Sequence, residues 1–262
     1  MRNQLKKVNR IVIKLGTNTI IDDNGKFNYC FINGLIEQIS HLKDEGKQII
    51  IISSGAIGLG NNYLGWQKTN DLVLNQCSAS VGQNLLMNSY ANCFNKYSIA
   101  ISQLLLTHED INDPKRNANI KCLIERLMSL GIITIINEND SISTEEITFG
   151  DNDILSARVS NLIDADLLIL LSDINGLYKN IKYKEIVDFV ENIDLNIRKY
   201  VDENRSKLGK GGMHSKLIAA QLASHSNTFT VIASSIEKDV IKRIIRGENI
   251  GTLFYLNGGI KK

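Results

Sequence analysis

Residues 48–58 read Gln-Ile-Ile-Ile-Ile-Ser-Ser-Gly-Ala-Ile-Gly, an apolar run that ends in two serines and a glycine. A run without polar alternation predicts a strand that is buried on both faces of a parallel sheet. Short runs of this kind recur along the chain between longer segments with helical spacing, which is typical of an α/β fold. The predicted strands are residues 10–14, 48–53, 99–106, 132–136, 167–172, 229–233 and 252–255.

The segments between these runs carry apolar residues at helical spacing and predict helices. Asp113 and Pro114 begin one of them, because a capping carboxylate is followed by a ring that sets the first helical φ. No Pro/Ser-rich linker or repeat interrupts the chain, so we expect a single domain over residues 1–262, with a weaker division near residue 172. The predicted helices are residues 28–45, 76–96, 114–130, 152–163 and 213–225.

Composition excludes several classes of protein. The 262 residues are 43% apolar and 22% charged, as in an ordinary globular protein. Thirty basic and 28 acidic residues give a net charge of +2, which provides no electrostatic reason to expect nucleic acid or a membrane surface as partner. The four cysteines and four histidines lack metal-ligand spacing, so no metal site held by the protein is expected. No apolar run approaches the length of a membrane helix or a signal-peptide core, and we expect a cytoplasmic protein.

Polar groups follow the predicted strands at the edge of the sheet where ligands bind in open parallel sheets. Lys14 ends the first strand, where its charge needs an anionic partner or a path to solvent. Gly16 beside it permits close approach of a phosphate, which favours the first alternative. The other polar strand ends are Ser53, Ser54 and Gly55 after the second, Asn137 to Asp140 after the fourth, and Ser172 and Asp173 after the fifth.

Two further segments could carry chemistry. Residues 209–216 read Gly-Lys-Gly-Gly-Met-His-Ser-Lys, a glycine-rich turn with two lysines before a helix, which suits a phosphate. Its spacing matches neither the Walker A motif nor the dinucleotide fingerprint, and a flexible lid is the alternative. Asp151, Asn152 and Asp153 precede another helix, where acidic residues are also favoured by the helix dipole alone.

Nine blocks of the sequence, taken in order, resemble the glutamate 5-kinases of the amino acid kinase family more than the acetylglutamate, carbamate or uridylate kinases. The blocks are VIKLGTNTI, IIISSGAIGLG, ASVGQNLL, QLLLTHEDI, INENDSIST, FGDNDILSA, LLSDINGLY, GKGGMHSK and GTLF, over nearly the whole chain. The resemblance implies a three-layer αβα sandwich around a mostly parallel open sheet. It also implies transfer of the γ-phosphoryl of ATP, carried with Mg²⁺, to the γ-carboxylate of L-glutamate, the first step of proline biosynthesis.

The same resemblance assigns roles by matching motif. Lys14 and Lys216 would stabilise charge on the transferring phosphoryl group, and Asp153 would hold the two lysines. Ser54, Asp140 and Asn152 would bind glutamate, with Asp140 suited to the α-ammonium group. The residues implied for the nucleotide are Lys14, Ser172, Asp173, Lys210, Gly211, Gly212, Met213, His214, Ser215 and Lys216.

The resemblance carries expectations about organisation as well. Residues 1–171 would form a glutamate-binding lobe and residues 172–262 a nucleotide-binding lobe, without the C-terminal PUA domain of many relatives. A homodimer or homotetramer, feedback inhibition by proline, and glutamyl phosphate reductase as the next enzyme are further implications. Lys210 stands where threonine is common, and Asn18 where serine is common. The alternatives are a kinase with another acceptor, a non-catalytic sensor of amino acid and nucleotide, and an RNA-binding module.

Overall fold

Ten strands and ten α-helices follow one another along the chain in a computed structural model that describes residues 1–143, 151–180, 182–183, 185–204 and 212–255. The strands are β1 (Arg10–Leu15), β2 (Gln48–Ile52), β3 (Ile101–Leu106), β4 (Ile133–Glu138), β5 (Leu167–Ser172), β6 (Tyr178–Asn180), β7 (Glu185–Ile186), β8 (Phe189–Val190), β9 (Phe229–Ser234) and β10 (Thr252–Phe254). The helices are α1 (Thr17–Ile20), α2 (Tyr29–Asp44), α3 (Ala56–Leu64), α4 (Leu72–Asn95), α5 (His108–Asn112), α6 (Pro114–Ser129), α7 (Asp151–Leu162), α8 (Leu195–Asn204), α9 (Gly212–Ala223) and α10 (Val240–Ile245).

Eight strands form the central sheet in the order β3-β4-β2-β1-β5-β9-β10-β8. The pairs on either side of β1 are parallel, and Val12 lies opposite Ile50 on one side and Leu168 on the other. The exception is β10, which runs antiparallel to β9. Strands β6 and β7 form a separate antiparallel pair. The parallel strands β1, β2, β4 and β5 therefore end at one edge, where the polar residues that follow them come together.

Alternate residues of each strand enter two apolar cores, one on each face of the sheet. Ile11, Ile13 and Leu15 of β1 face the core formed with α2, α3, α4 and α10. Val12 faces the opposite core, formed with α6, α7, α8 and α9. This arrangement confirms the predicted three-layer αβα sandwich, since uniformly apolar strands have a helical layer to bury each face.

All seven predicted strands are present, with ends that shift by two residues or fewer. The helix predicted from residue 76 begins at Leu72, because the Asp71 carboxylate caps it by accepting a hydrogen bond from the backbone N–H of Leu74 (3.0 Å). The Asp113 cap of α6 is confirmed by its 2.8 Å bond from the backbone N–H of Arg116. The prediction did not include helices α1, α5, α8 and α10 or strands β6–β8, which are short or weakly patterned.

Two glycines allow α3 and α4 to pack with their backbones in contact. A Cβ atom at Gly60 would overlap the carbonyl oxygen of Ser78, and one at Gly82 would overlap the carbonyl oxygen of Ala56. The contact fixes α4 against the start of α3, beside the end of β2. Among the described helices, none is long and apolar enough to cross a membrane.

Candidate active site

One carboxylate and two lysines form a buried cluster at the end of β1. The Lys14 Nζ lies 2.7 Å from Asp153 Oδ1, and the Lys216 Nζ lies 3.1 Å from Asp153 Oδ2. Asp153 is 1% exposed, and each lysine is 7% exposed. The three residues come from β1, α7 and α9, so the fold brings together groups that are up to 202 positions apart in the chain (216 − 14).

The local structure of α7 and α9 explains how the cluster is held. Asp153 lies in the first turn of α7, where the helix dipole favours a negative charge. The Ser215 hydroxyl donates to Asp153 Oδ2 at 2.7 Å, and the Lys216 ammonium also donates to the carbonyl oxygen of Gly212 at 3.3 Å. Asp153 therefore uses both oxygens to orient two cations from different elements.

The electrostatics of the cluster favour an added anion. Burial raises the pKa of Asp153, but the two lysine charges and the hydrogen bonds from Lys14 and Ser215 together hold that pKa below its usual value. Burial lowers the pKa of Lys14, and repulsion from Lys216 adds to the effect, although Asp153 opposes it. With both lysines protonated, the three side chains carry a net charge of +1 in a buried site. A phosphate group would compensate this charge.

Asn152, next to Asp153 in sequence, lies at the centre of a second polar group. Its Nδ2 donates to the carbonyl oxygen of Ser53, to the Ser54 hydroxyl oxygen and to Asn137 Oδ1, each at 3.0 Å. The predicted glutamate residues Ser54 and Asn152 are thus in direct contact. This second group adjoins the lysine cluster because consecutive residues of α7 belong to the two sites.

Asp140, the third residue predicted for glutamate, lies in the turn that follows β4 and is half-buried. Two contacts attach this turn to α4: the Ser80 hydroxyl donates to Ser141 Oγ at 3.0 Å, and Gln76 Nε2 donates to the carbonyl oxygen of Ser143 at 3.0 Å. Asp140 follows Asn137, a hydrogen-bond partner of Asn152, by three residues.

Ser172 is the last residue of β5, the strand beside β1, and Asp173 follows it. The backbone N–H of Gly16 donates to the carbonyl oxygen of Leu171 at 3.3 Å, and Asn18 Nδ2 donates to Asp173 Oδ2 at 3.4 Å. Asp173 is near enough to Lys14 to oppose the lowering of the pKa of that lysine. The two residues predicted to bind the nucleotide therefore lie on the β5 side of Lys14, and β2 lies on its opposite side.

The glycine-rich segment is described from Gly212 onward, and Lys210 and Gly211 lie outside the described residues. Ser215 and Lys216 belong to the buried cluster, as given above. The side chain of Met213 is buried in the apolar core below α9, and the side chain of His214 is exposed. Any contact of Met213 with a nucleotide would therefore be through its backbone.

In the described part of the chain no three His, Cys, Asp or Glu side chains are grouped as a metal site. Magnesium commonly binds nucleotide phosphates and water with only one or two protein carboxylates.

Sequence reasoning assigned no specific role to Asn137, which contacts Asn152, or to Gln83, which contacts Asn137. Asn137 was named only among the polar residues that follow the fourth predicted strand. Gln83 lies within α4, whose apolar pattern is weak, and its burial could not be read from spacing.

Comparisons with known proteins identify the family of this chain. The model of the amino acid kinase family matches residues 9–234. The glutamate 5-kinase of Clostridium acetobutylicum is 41% identical over 255 residues, which are 95% of this chain and 96% of that protein. The glutamate 5-kinase of Symbiobacterium thermophilum is 40% identical over 98% of this chain and 100% of that protein. The glutamate 5-kinase of Caldanaerobacter subterraneus is 40% identical over 94% of this chain and 67% of that protein. The chain belongs to the amino acid kinase family and, within it, to the glutamate 5-kinases.

Proposed function

We propose that the protein transfers the γ-phosphoryl group of ATP to the γ-carboxylate of L-glutamate, giving L-glutamyl 5-phosphate and ADP in the first step of proline biosynthesis. The observation that carries the proposal is the buried Lys14–Asp153–Lys216 cluster beside the Asn152 group. Its surplus positive charge matches the needs of phosphoryl transfer, in which catalysis rests on positioning and on neutralising charge.

The chemistry explains why no general base is required of this site. The reaction brings two anions together, the carboxylate of the acceptor and the γ-phosphate, and their repulsion must be offset. A carboxylate is already a nucleophile at neutral pH, so no proton has to be removed. Lys14 and Lys216 would stabilise the negative charge on the transferring group, and Asp153 would keep both ammonium groups in place.

We assign the two substrates to opposite sides of this cluster. Ser54, Asn152 and Asp140 would bind glutamate in a lobe of residues 1–171, with the Asp140 carboxylate facing the α-ammonium group. Ser172, Asp173 and residues 210–216 would bind ATP in a lobe of residues 172–262. Magnesium would arrive with ATP and be held mainly by its phosphate oxygens.

An assay with a trapped product tests the reaction and the substrate together. Purified protein is incubated with MgATP, hydroxylamine and one of three acceptors: L-glutamate, N-acetylglutamate or UMP. We expect hydroxamate and ADP only with L-glutamate, because hydroxylamine captures the acyl phosphate. ADP release with another acceptor would reassign the acceptor site, and saturable binding of ATP and glutamate without turnover would indicate a sensor.

Asp140→Asn tests the placement of the substrate ammonium group. We expect the KM for glutamate to rise about 30-fold, because a charged hydrogen bond contributes about 2 kcal/mol. The KM for ATP should change less than twofold. Asp164→Asn is the control, since Asp164 is an exposed carboxylate paired with Lys121 on the surface. An unchanged KM for glutamate in Asp140→Asn would remove Asp140 from the site.

Three further properties rest on the resemblance to glutamate 5-kinases, and a cytoplasmic location is expected from the sequence. We infer a homodimer or homotetramer, inhibition by proline at or overlapping the glutamate site, and delivery of the product to glutamyl phosphate reductase. The lability of an acyl phosphate in water supports the last of these. A monomer in light scattering, or turnover indifferent to millimolar proline, would remove the first two.

A further inference from the structure

Gln83 is a buried glutamine on α4 that points toward the site. It is 8% exposed, and its Oε1 accepts a 2.9 Å hydrogen bond from Asn137 Nδ2. The residue before it, Gly82, is the point where α4 meets the backbone of α3. The position of Gln83 relative to Asn137 is therefore set by a contact between helix backbones.

The bond from Asn137 completes a chain of oriented carboxamides. Asn137 Oδ1 accepts from the backbone N–H of Glu138 at 2.9 Å, which settles which end of the carboxamide is the oxygen. That oxygen also accepts from Asn152 Nδ2 at 3.0 Å. Gln83 Oε1 accepts from Nδ2, the opposite end of the Asn137 carboxamide. Without Gln83, a buried N–H of Asn137 would lack a partner or the Asn137 side chain would rotate.

The orientation of Asn152 decides what the substrate meets. Because Asn152 Nδ2 donates to Ser54 Oγ, the Ser54 hydroxyl keeps its own hydrogen for donation, which suits a carboxylate. Asn152 Oδ1 is buried and has no partner within the described segments. It is the remaining acceptor of this carboxamide for an N–H group of a ligand.

Gln83 does not act simply by filling space. Its Nε2 is buried without a partner in the described part of the chain, whereas its Oε1 accepts the hydrogen bond from Asn137. The group that glutamine contributes here is the acceptor Oε1.

We propose that Gln83 is a positioning residue for the acceptor substrate: it holds Asn137, which orients Asn152 and through it the hydroxyl of Ser54. This inference rests on the proposed function and deepens it. Gln83 touches Asn137, and its effect on glutamate binding passes through Asn137 and Asn152. Its loss should therefore weaken glutamate binding while leaving the ATP side of the lysine cluster intact.

Three variants test the proposal by steady-state kinetics. In Gln83→Met, which keeps the length but removes the acceptor, we expect the KM for glutamate to rise about tenfold. The KM for ATP and kcat should change less than threefold. Gln83→Glu keeps an acceptor oxygen at the same distance and should restore the KM for glutamate to within threefold of the original protein.

Gln38→Met is the matched control, because Gln38 is a buried glutamine on α2 whose Oε1 accepts from the backbone N–H of Ile241 at 3.0 Å, away from the site. It should lower the melting temperature without changing the KM for glutamate. If Gln83→Met does not fold, Gln83→Asn replaces it, since one methylene fewer withdraws the oxygen from Asn137 and should raise KM similarly.

Each other outcome has a definite meaning. An unchanged KM for glutamate in Gln83→Met, an equal rise in Gln83→Glu, or a parallel rise in the KM for ATP would overturn the positioning role. In those cases turnover of glutamate by the original protein would leave the proposed function standing. If the original protein shows no glutamate-dependent release of ADP, the proposed function and this inference fall together.

Discussion

Asp153→Asn should lower kcat about a thousandfold, at the upper end of the loss seen when one electrostatic group of a transition state is removed. The carboxylate is the anion that holds Lys14 at 2.7 Å and Lys216 at 3.1 Å. Asparagine preserves the shape but leaves two ammonium groups without a counter-charge, so they separate or one loses its proton. Hydroxamate formation at saturating glutamate and ATP measures the effect.

The pH dependence of the same variant distinguishes this explanation from simple misfolding. In the original protein the pKa of Lys14 already lies below the usual lysine value of 10.5. The alkaline decline of kcat should therefore occur at a pH lower than this usual pKa. Asp153 opposes this lowering of the pKa, and its removal should move the alkaline decline of kcat to still lower pH. Asp164→Asn, the surface control, should leave the profile unchanged, and a profile that Asp153→Asn does not shift would contradict the coupling.

Stability should change with pH in a direction that follows from the depressed pKa of Asp153. A carboxylate whose pKa is lower in the folded state stabilises the protein above its unfolded pKa of about 4, and this contribution is lost as pH falls through the folded value. We expect Asp153→Asn to cost about 3 kcal/mol in free energy of unfolding at neutral pH, as when one partner of a buried ion pair is removed. Urea titrations should show this difference shrinking below pH 4.

The sequence predicted the fold well because the strands are uniformly apolar. Runs such as residues 167–172 can be buried only between two helical layers, and β5 is indeed fully buried. The elements that escaped prediction depend on contacts instead. Helix α10 has six residues and is fixed by packing and by Gln38, which accepts from the backbone N–H of Ile241. No local sequence pattern predicts such a contact.

The site was predictable where a side chain costs free energy at its position unless it has a partner. Lys14 at the end of an apolar strand is such a residue, and its predicted need for an anionic partner is met by Asp153. Gln83 was not predictable, because a glutamine in a helix is ordinary until its burial and its contact with Asn137 are known. Met213 shows the converse, since a place in the glycine-rich motif does not say which way a side chain points.

Gly82→Ala should destabilise the protein strongly, although alanine is the better helix former by about 1 kcal/mol. The added methyl group would overlap the carbonyl oxygen of Ala56 and lie 2.6 Å from the backbone nitrogen of Gly60, so it can be accommodated only if the helices α3 and α4 move apart. Overpacking against rigid backbone costs about 3 kcal/mol, which exceeds the gain in helix propensity. The free energy of unfolding in urea measures the net loss.

Gly34→Ala is the matched control for this prediction, because Gly34 lies within α2 with nothing within 4 Å of an added Cβ. There the propensity gain acts alone, and we expect a stabilisation of about 0.5–1 kcal/mol. The two substitutions are chemically identical, so opposite signs isolate the contact between α3 and α4. In folded Gly82→Ala the displaced α4 should also carry Gln83 away from Asn137 and raise the KM for glutamate, whereas Gly34→Ala should not. A Gly82→Ala protein as stable as Gly34→Ala would show that the two helices separate without cost and do not fix the acceptor site.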